Sequence, residues 1–264
     1  MKSMRLGSGD VAALMTGLQT KSQANLMRKF VSDEIQFYNA KGSPIDAFRA
    51  GAILEERYGL ILPDDYYPQV RKKSAEMDVF SCSLDFAKIE NSKIVDFEEL
   101  KTCNFMDLLD IEPYRENNSE GVEYVKKRYK KYYNQIQEQL YCTELESATM
   151  VFLAVYSYED EENYTRKIKV NEYIKFRIAR DENVINAIKE RGKLYQRIKD
   201  YFTIPEEKKS KQLKPEANKP PQVKPEEQLQ EQAETNTITP EKADEVVKEL
   251  KIEPKKIIIK EIDF

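Results

Sequence analysis

Two short apolar runs that carry charged residues where burial is expected constrain this chain more than any other feature. Val79-Phe80 leads into Cys82-Ser83-Leu84-Asp85, and Ile94-Val95 and Phe97 lead into Glu98-Glu99-Leu100-Lys101. Over 78–90 and 93–101 these runs read as a pair of strands. Carboxylates set into such runs cost free energy unless something compensates them. A hard divalent cation shared by Asp85 and Glu99 would do so, and Mg²⁺ accepts such oxygen ligands while keeping several waters. Lys101 lies two residues beyond Glu99 and so points to the same strand face. The carbonyl of Leu100, between them, is a further oxygen ligand. Glu98, beside Glu99, leaves the strand register open.

The rest of the composition narrows the chemistry. The chain has 264 residues, no histidine and three cysteines. The absence of histidine removes His-dependent zinc sites, Ser-His-Asp triads and Cys-His dyads together. Cys82, Cys103 and Cys142 are scattered, odd in number and contain no C-x-x-C, which reads as reduced thiols. Hydrolysis in this chain would have to run on carboxylates, lysine and a metal. The formal net charge of -4 argues against a uniformly basic coat, but a local basic strip is enough to track phosphates. No run of about 20 apolar residues exists to span a membrane, and Met1-Lys2-Ser3-Met4-Arg5 lacks the apolar core of a secretory signal. The expectation is a soluble, cytoplasmic protein.

Composition changes sharply near Pro205. Residues 206–239 are rich in Glu, Lys, Gln and Pro and bury too little apolar surface to offset chain entropy, so they read as a disordered linker. Thr239-Pro240-Glu241 has the form of a helix start, and 256–264 reads as a terminal strand. The 240–264 element would dock on a partner by strand addition or pack on its own domain. The folded domain is expected over 1–205. Within it, helices read over 9–18, 44–58, 122–143 and 181–201, and further strands over 148–156 and 168–178. The order predicts an α/β (α+β) fold, a central mixed sheet flanked by helices.

Three other features bear on the two strands. Glu55, in Gly51-Ala52-Ile53-Leu54-Glu55, can reach toward a metal from a helix. Lys127, Lys131 and Gln135 recur every fourth residue and would share one helix face suited to a phosphate backbone. Arg5-Leu6-Gly7-Ser8-Gly9-Asp10 leaves the backbone accessible just before a helix, where N–H groups attract anions.

In this order, over residues 4–160, the motifs resemble the YqaJ/lambda-exonuclease type of viral recombination nuclease in the PD-(D/E)XK superfamily. The most specific parts are Cys82-Ser83-Leu84-Asp85 with Glu99-Leu100-Lys101, followed by Asn134-Gln135-Ile136-Gln137 after a tyrosine-rich stretch. The resemblance implies a restriction-endonuclease-like core. Asp85 and Glu99 would bind Mg²⁺, with Mn²⁺ as a substitute, aided by Leu100 and Glu55. Lys101 would be the catalytic lysine and Gln135 an active-site glutamine. Arg5, Ser8 and Ser83 would contact phosphate, with Lys127, Lys131 and Gln137 along the DNA path. Gln137-x-x-x-Tyr141 also matches the RecB-type pattern, which leaves open whether Gln135 or Gln137 acts.

The implied activity is 5′→3′ resection of linear double-stranded DNA for recombination by single-strand annealing, in a bacterial host cell if of phage origin. The implied partners are DNA ends, an annealing protein and two further copies in a homotrimer. The alternatives are a Cas4- or RecB-like nuclease and a catalytically inactive DNA-end-binding scaffold.

Overall fold

In a computed structural model of the protein, the described residues are 4–17, 19–31, 45–156 and 167–203. They fall in a unit spanning Met1–Thr203. The expected linker and terminal element lie outside the described residues.

The sheet is mixed, as the alternation of elements predicted. Its strands are β1 (Leu6–Gly7), β2 (Tyr66–Lys73), β3 (Phe80–Glu90), β4 (Lys93–Asn104), β5 (Ser147–Val155) and β6 (Tyr173–Ala179). The order is β1-β3-β4-β5-β6, with β2 also paired to β3. β3 and β4 form a hairpin whose two-residue turn, Asn91-Ser92, has positive φ at both positions. That is the turn geometry whose twist matches paired strands. β4 and β5 run parallel, so the chain between them must cross over the sheet. It does so through α4 (Phe105–Ile111), α5 (Asn118–Arg128) and α6 (Lys130–Thr143).

Helices cover both faces. α3 (Ile45–Gly59) places Ala50, Leu54 and Tyr58 against Phe86, Leu100, Val151 and Leu153. On the other face α6 buries Tyr133, Ile136 and Leu140. α6 packs with α1 (Val11–Leu14) and with the closing helix α7 (Glu182–Thr203). α2 (Lys21–Val31) completes the N-terminal region. Its buried Gln23 donates to the carbonyls of Ala13 and Leu14 and accepts from Tyr195 of α7.

Three expectations are corrected. The helix read over 122–143 is two helices, broken at Tyr129 (φ -116°, ψ 41°). Five of the six residues 126–131 are cationic, so like charges meet four apart around the turn and weaken it. Tyr129 instead turns its ring onto Phe152, centroids 5.1 Å apart. The helix read over 9–18 is a 3₁₀ turn, Ser8–Asp10, followed by one α-helical turn. The strand read over 168–178 begins only at Tyr173, after a 3₁₀ turn over Val170–Glu172. β2, α2 and α4 were not foreseen, although α2 buries Gln23, Leu26, Met27 and Phe30 at helical spacing.

Close packing between α7 and β3 depends on Gly192. A Cβ there would lie 2.3 Å from the Phe80 ring, which is fully buried and held edge-on by Tyr141. Gly192→Ala is expected to destabilise the fold by about 1–3 kcal/mol. A thermal melt should show Tm lower by roughly 2–12 °C; an unchanged Tm would mean that the ring relaxes freely.

Candidate active site

The site forms where two strands part. The β3–β4 ladder ends at Phe86↔Glu98, one step short of Asp85 and Glu99. Asp85 compensates for the missing rung with its side chain, accepting the Leu100 N–H at 2.8 Å. Beyond the split, β4 continues with β5, pairing Glu99 with Met150 and Lys101 with Phe152. Asp85 and Glu99 are thereby held at adjacent points on diverging strands.

Alternation along β4 settles the register. Glu98 turns toward α3, where its carboxylate accepts from Tyr58 at 2.5 Å and from Lys175 at 2.8 Å. Burial, then the Glu98 charge, pushes the Tyr58 hydroxyl far above its usual range. Leu100 buries its side chain in the same α3-facing cluster. Glu99 faces the opposite way, toward α6, and is 1% exposed.

Glu99 accepts from three donors. Lys101 Nζ approaches Oε1 at 2.5 Å and Gln135 Nε2 approaches the same oxygen at 2.6 Å. Gln139 Nε2 approaches Oε2 at 2.6 Å and lies 3.2 Å from the Ser83 carbonyl. Charge-assisted bonds of this kind are the strong ones. Gln135 and Gln139 are four apart on α6, one above the other.

Gln139 was not foreseen. Its signal was the i, i+4 spacing from Gln135, hidden among the several glutamines of 135–139. Gln69 is a second addition. It sits in β2 at φ 53°, an uncommon conformation for a non-glycine residue. Its amide donates to Glu55 and accepts from Ser83 Oγ at 3.1 Å.

Electrostatics follow from this crowding. Burial, then the Glu99 charge, pushes the Asp85 carboxyl well above the usual carboxylate range. Lys101 pulls the other way, and Glu55 adds to the rise. Burial works against the Lys101 ammonium, but Glu99 and Asp85 outweigh it and hold its pKa above the ordinary lysine value. Lys101 is therefore a fixed cation, suited to stabilising charge rather than to accepting a proton. One face of the Tyr132 ring is also within reach of Lys101, at 5.4 Å, while Lys131 lies 4.5 Å from the ring centroid.

The other expected residues divide. Glu55 and Ser83 join the cluster through Gln69. Lys127 and Lys131 are exposed on separate helices, and the break at Tyr129 removes the continuous stripe with Gln135. Lys126, expected to thicken that patch, pairs with Asp181 at 2.8 Å. Gln137 is corrected outright as a DNA contact. It is fully buried, donating to the Ala179 carbonyl and accepting from the Asp181 N–H. Arg5 lies near Asp78, whose carboxyl is lowered first by the hydrogen bond from Lys199, then by Gln196, with Arg5 a smaller cause, and its buried Nε has no hydrogen-bond partner among the described residues. Ser8 is buried in the 3₁₀ turn, whose Asp10 accepts from Gly7 N–H and Lys29. Among the described residues no hydrogen bond or ion pair joins Arg5 or Ser8 to Asp85, Glu99 or Lys101.

Among the described residues no three acidic or cysteine side chains converge tightly enough to cage an ion alone. The donor set still suits a hard cation of the Mg²⁺ type, which commonly takes one or two carboxylates and completes its shell with water and substrate phosphate. Asp85 spends one oxygen on Leu100. Glu99 Oε2 has a single donor, which leaves one lone pair.

No family model matches the chain, and no curated protein matches it by sequence. Solved structures do match by fold. The alkaline exonuclease LHK-Exo of Laribacter hongkongensis is 17% identical over 80% of this chain and 95% of its own, with a TM-score of 0.49. In complex with dAMP, LHK-Exo gives 18% identity, the same coverage and a TM-score of 0.50. A phage-related exonuclease of Haemophilus somnus is 15% identical over 76% of this chain and 98% of its own, also with a TM-score of 0.50. The fold is the one these exonucleases have. Among the described residues no helix is long and apolar enough to cross a membrane.

Ionising Asp85 beside Glu99 costs folding energy when no cation is bound. Its folded pKa lies above the unfolded one, so its favourable contribution is present at low pH and is lost as pH rises from about 4 upward. Asp85→Asn keeps an oxygen for the Leu100 N–H and removes the charge. In EDTA at neutral pH it should melt a few degrees higher than wild type, about 1 kcal/mol on the scale of a chain this size. A lower Tm would show that the carboxylate is held favourably.

Proposed function

We propose that this chain is a Mg²⁺-dependent deoxyribonuclease that digests linear double-stranded DNA from its ends, 5′→3′, for recombination by single-strand annealing. The observation that carries the reading is the Glu99 carboxylate, gripped by Lys101, Gln135 and Gln139 and set across the split from Asp85. Such a grip makes sense for a group that must hold one orientation while charge changes beside it. The likeness in fold to exonucleases supports the same reading, and the ordered motifs resembling viral recombination nucleases support its direction and role.

Asp85 and Glu99 would hold the ion, with Glu55 nearby. A bound cation would supply an acidified water and neutralise phosphate charge. The chain's own residues do the rest. Lys101, protonated, donates to the scissile phosphate as negative charge builds in the transition state. Gln135 and Gln139 fix the Glu99 rotamer. Ser83 and Gln69 line the approach to Asp85. Lys131 and Lys127 lie exposed to meet the phosphate backbone beyond the site.

A linear 5′-phosphorylated duplex should be degraded in Mg²⁺ or Mn²⁺ and left intact in EDTA, with closed circular DNA untouched. Binding without degradation would favour an end-binding scaffold, and nicked circles would favour an endonuclease. Lys101→Ala should reduce kcat by roughly a hundredfold or more and also lower Tm, because it leaves the buried Glu99 carboxylate without its cation; wild-type turnover would remove Lys101 from the mechanism. Lys127→Ala with Lys131→Ala should weaken binding to every sequence alike and reduce the log–log salt slope by about 2. An unaltered slope would place the DNA path elsewhere.

A further inference from the structure

A cleft of about 370 Å³ opens between α3 and β2. Phe86, Tyr66, Pro68 and Leu60 line it, with Glu55 and Gln69 at the rim nearest Ser83. Leu60 is 72% exposed, although it is a large apolar side chain beside a charged site. The cleft shares its rim with the acid cluster. Gln69 bonds both Glu55 and Ser83, and the Glu55 charge acts on Asp85. A ligand seated in the cleft therefore lies beside the group held at Asp85 and Glu99.

Charge and shape narrow the occupant. Glu55, together with Glu56 on the same lining, repels phosphate, so the cleft does not take the backbone. Phe86 is itself buried, but the exposed ring of Pro68 and the half-buried ring of Tyr66 suit an uncharged heterocycle, and stacking of a base on an aromatic side chain contributes about 1–3 kcal/mol. Carboxylate oxygens at the rim accept from exocyclic amino groups, the pairing by which acidic side chains recognise a base. The volume is at the lower end of small-molecule pockets, roughly 300–1,000 Å³, room for one base rather than a stack. Gln69 reinforces the argument. Its left-handed backbone aims the amide across the boundary between cleft and cluster, and uncommon backbone conformations concentrate at ligand sites.

We propose that this cleft receives a nucleobase of the strand whose phosphate is bound at Asp85 and Glu99, so that Gln69 separates a base subsite from the reacting phosphate. The inference rests on the nuclease reading above and adds a specificity subsite to it.

The test uses the full chain and 5′-phosphorylated duplexes in which a tetrahydrofuran abasic residue is moved through the three terminal nucleotides of the strand being cut. Binding of the same duplexes, with 2-aminopurine at each position, is followed by fluorescence without added metal. At one position the abasic residue should lower kcat/KM at least fivefold, and 2-aminopurine there should be quenched on binding. Ala52→Trp, an exposed change on the cleft lining, should lower kcat/KM for the intact duplex to a similar degree and abolish both the abasic penalty and the quenching. Leu60→Ala should weaken both by a smaller factor, and it guards against a folding defect in the first variant. Duplexes that bind and are cut with no abasic penalty at any position would overturn the base subsite alone. Duplexes that neither bind nor react would overturn it together with the nuclease reading.

Discussion

The site depends on the parting of β3 from β4. Two antiparallel strands that stayed paired through Asp85 and Glu99 would satisfy their backbone by ladder bonds and leave both carboxylates flat on a closed sheet. Here the ladder stops at Phe86↔Glu98, and Asp85 accepts the N–H of Leu100 in place of a backbone carbonyl. The split frees Glu99 to turn toward α6, where Gln135 and Gln139 meet it. The same split lets β1 pair in parallel with the start of β3, at Leu6↔Phe80 and Gly7↔Ser81. One departure from regular pairing thus positions the acids, the glutamines and the N-terminal segment.

Two adjacent glutamates meet opposite fates because a strand alternates its faces. Glu98 is held as a buried structural anion by Tyr58 and Lys175. Glu99, one residue on, is held by two amides and a lysine whose own charge depends on it. Buried carboxylates without such partners would neutralise or unfold their surroundings. The core on the α3 side fixes which is which, since Leu100 must be buried there and Glu98 and Leu100 share a face. Apolar packing therefore sets the register, and the register chooses which glutamate faces Lys101 and the α6 glutamines.

Several parts of this arrangement were legible beforehand. The hairpin, the mixed sheet, α3 and the closing helix follow from apolar periodicity and turn residues. Asp85, Glu99 and Lys101 stood out as charges inside apolar runs, and Glu55 as an acid on a helix facing them. Gln139 did not stand out, because an amide on a helix gives no sign of whether it faces a carboxylate or solvent. Gln137 misled for the same reason: as a buried amide it anchors the end of β6 to the start of α7. The lysine stripe failed because helical spacing assumes an unbroken helix, and the chain leaves helical geometry at Tyr129, whose ring packs on Phe152.

The sequence by itself determined the fold class, the two strands that carry the charges and the identities of the acids and the lysine. Burial periodicity and the cost of placing charge in an apolar run are both local properties of the chain. Only the tertiary structure decided that Gln135 and Gln139 rather than Gln137 reach Glu99, that Glu98 faces away, and that Gln69 joins the rim of an apolar cleft to the acid cluster. Those outcomes turn on where strands part and where a helix breaks. Both are set by contacts between residues distant in sequence, which no local period encodes.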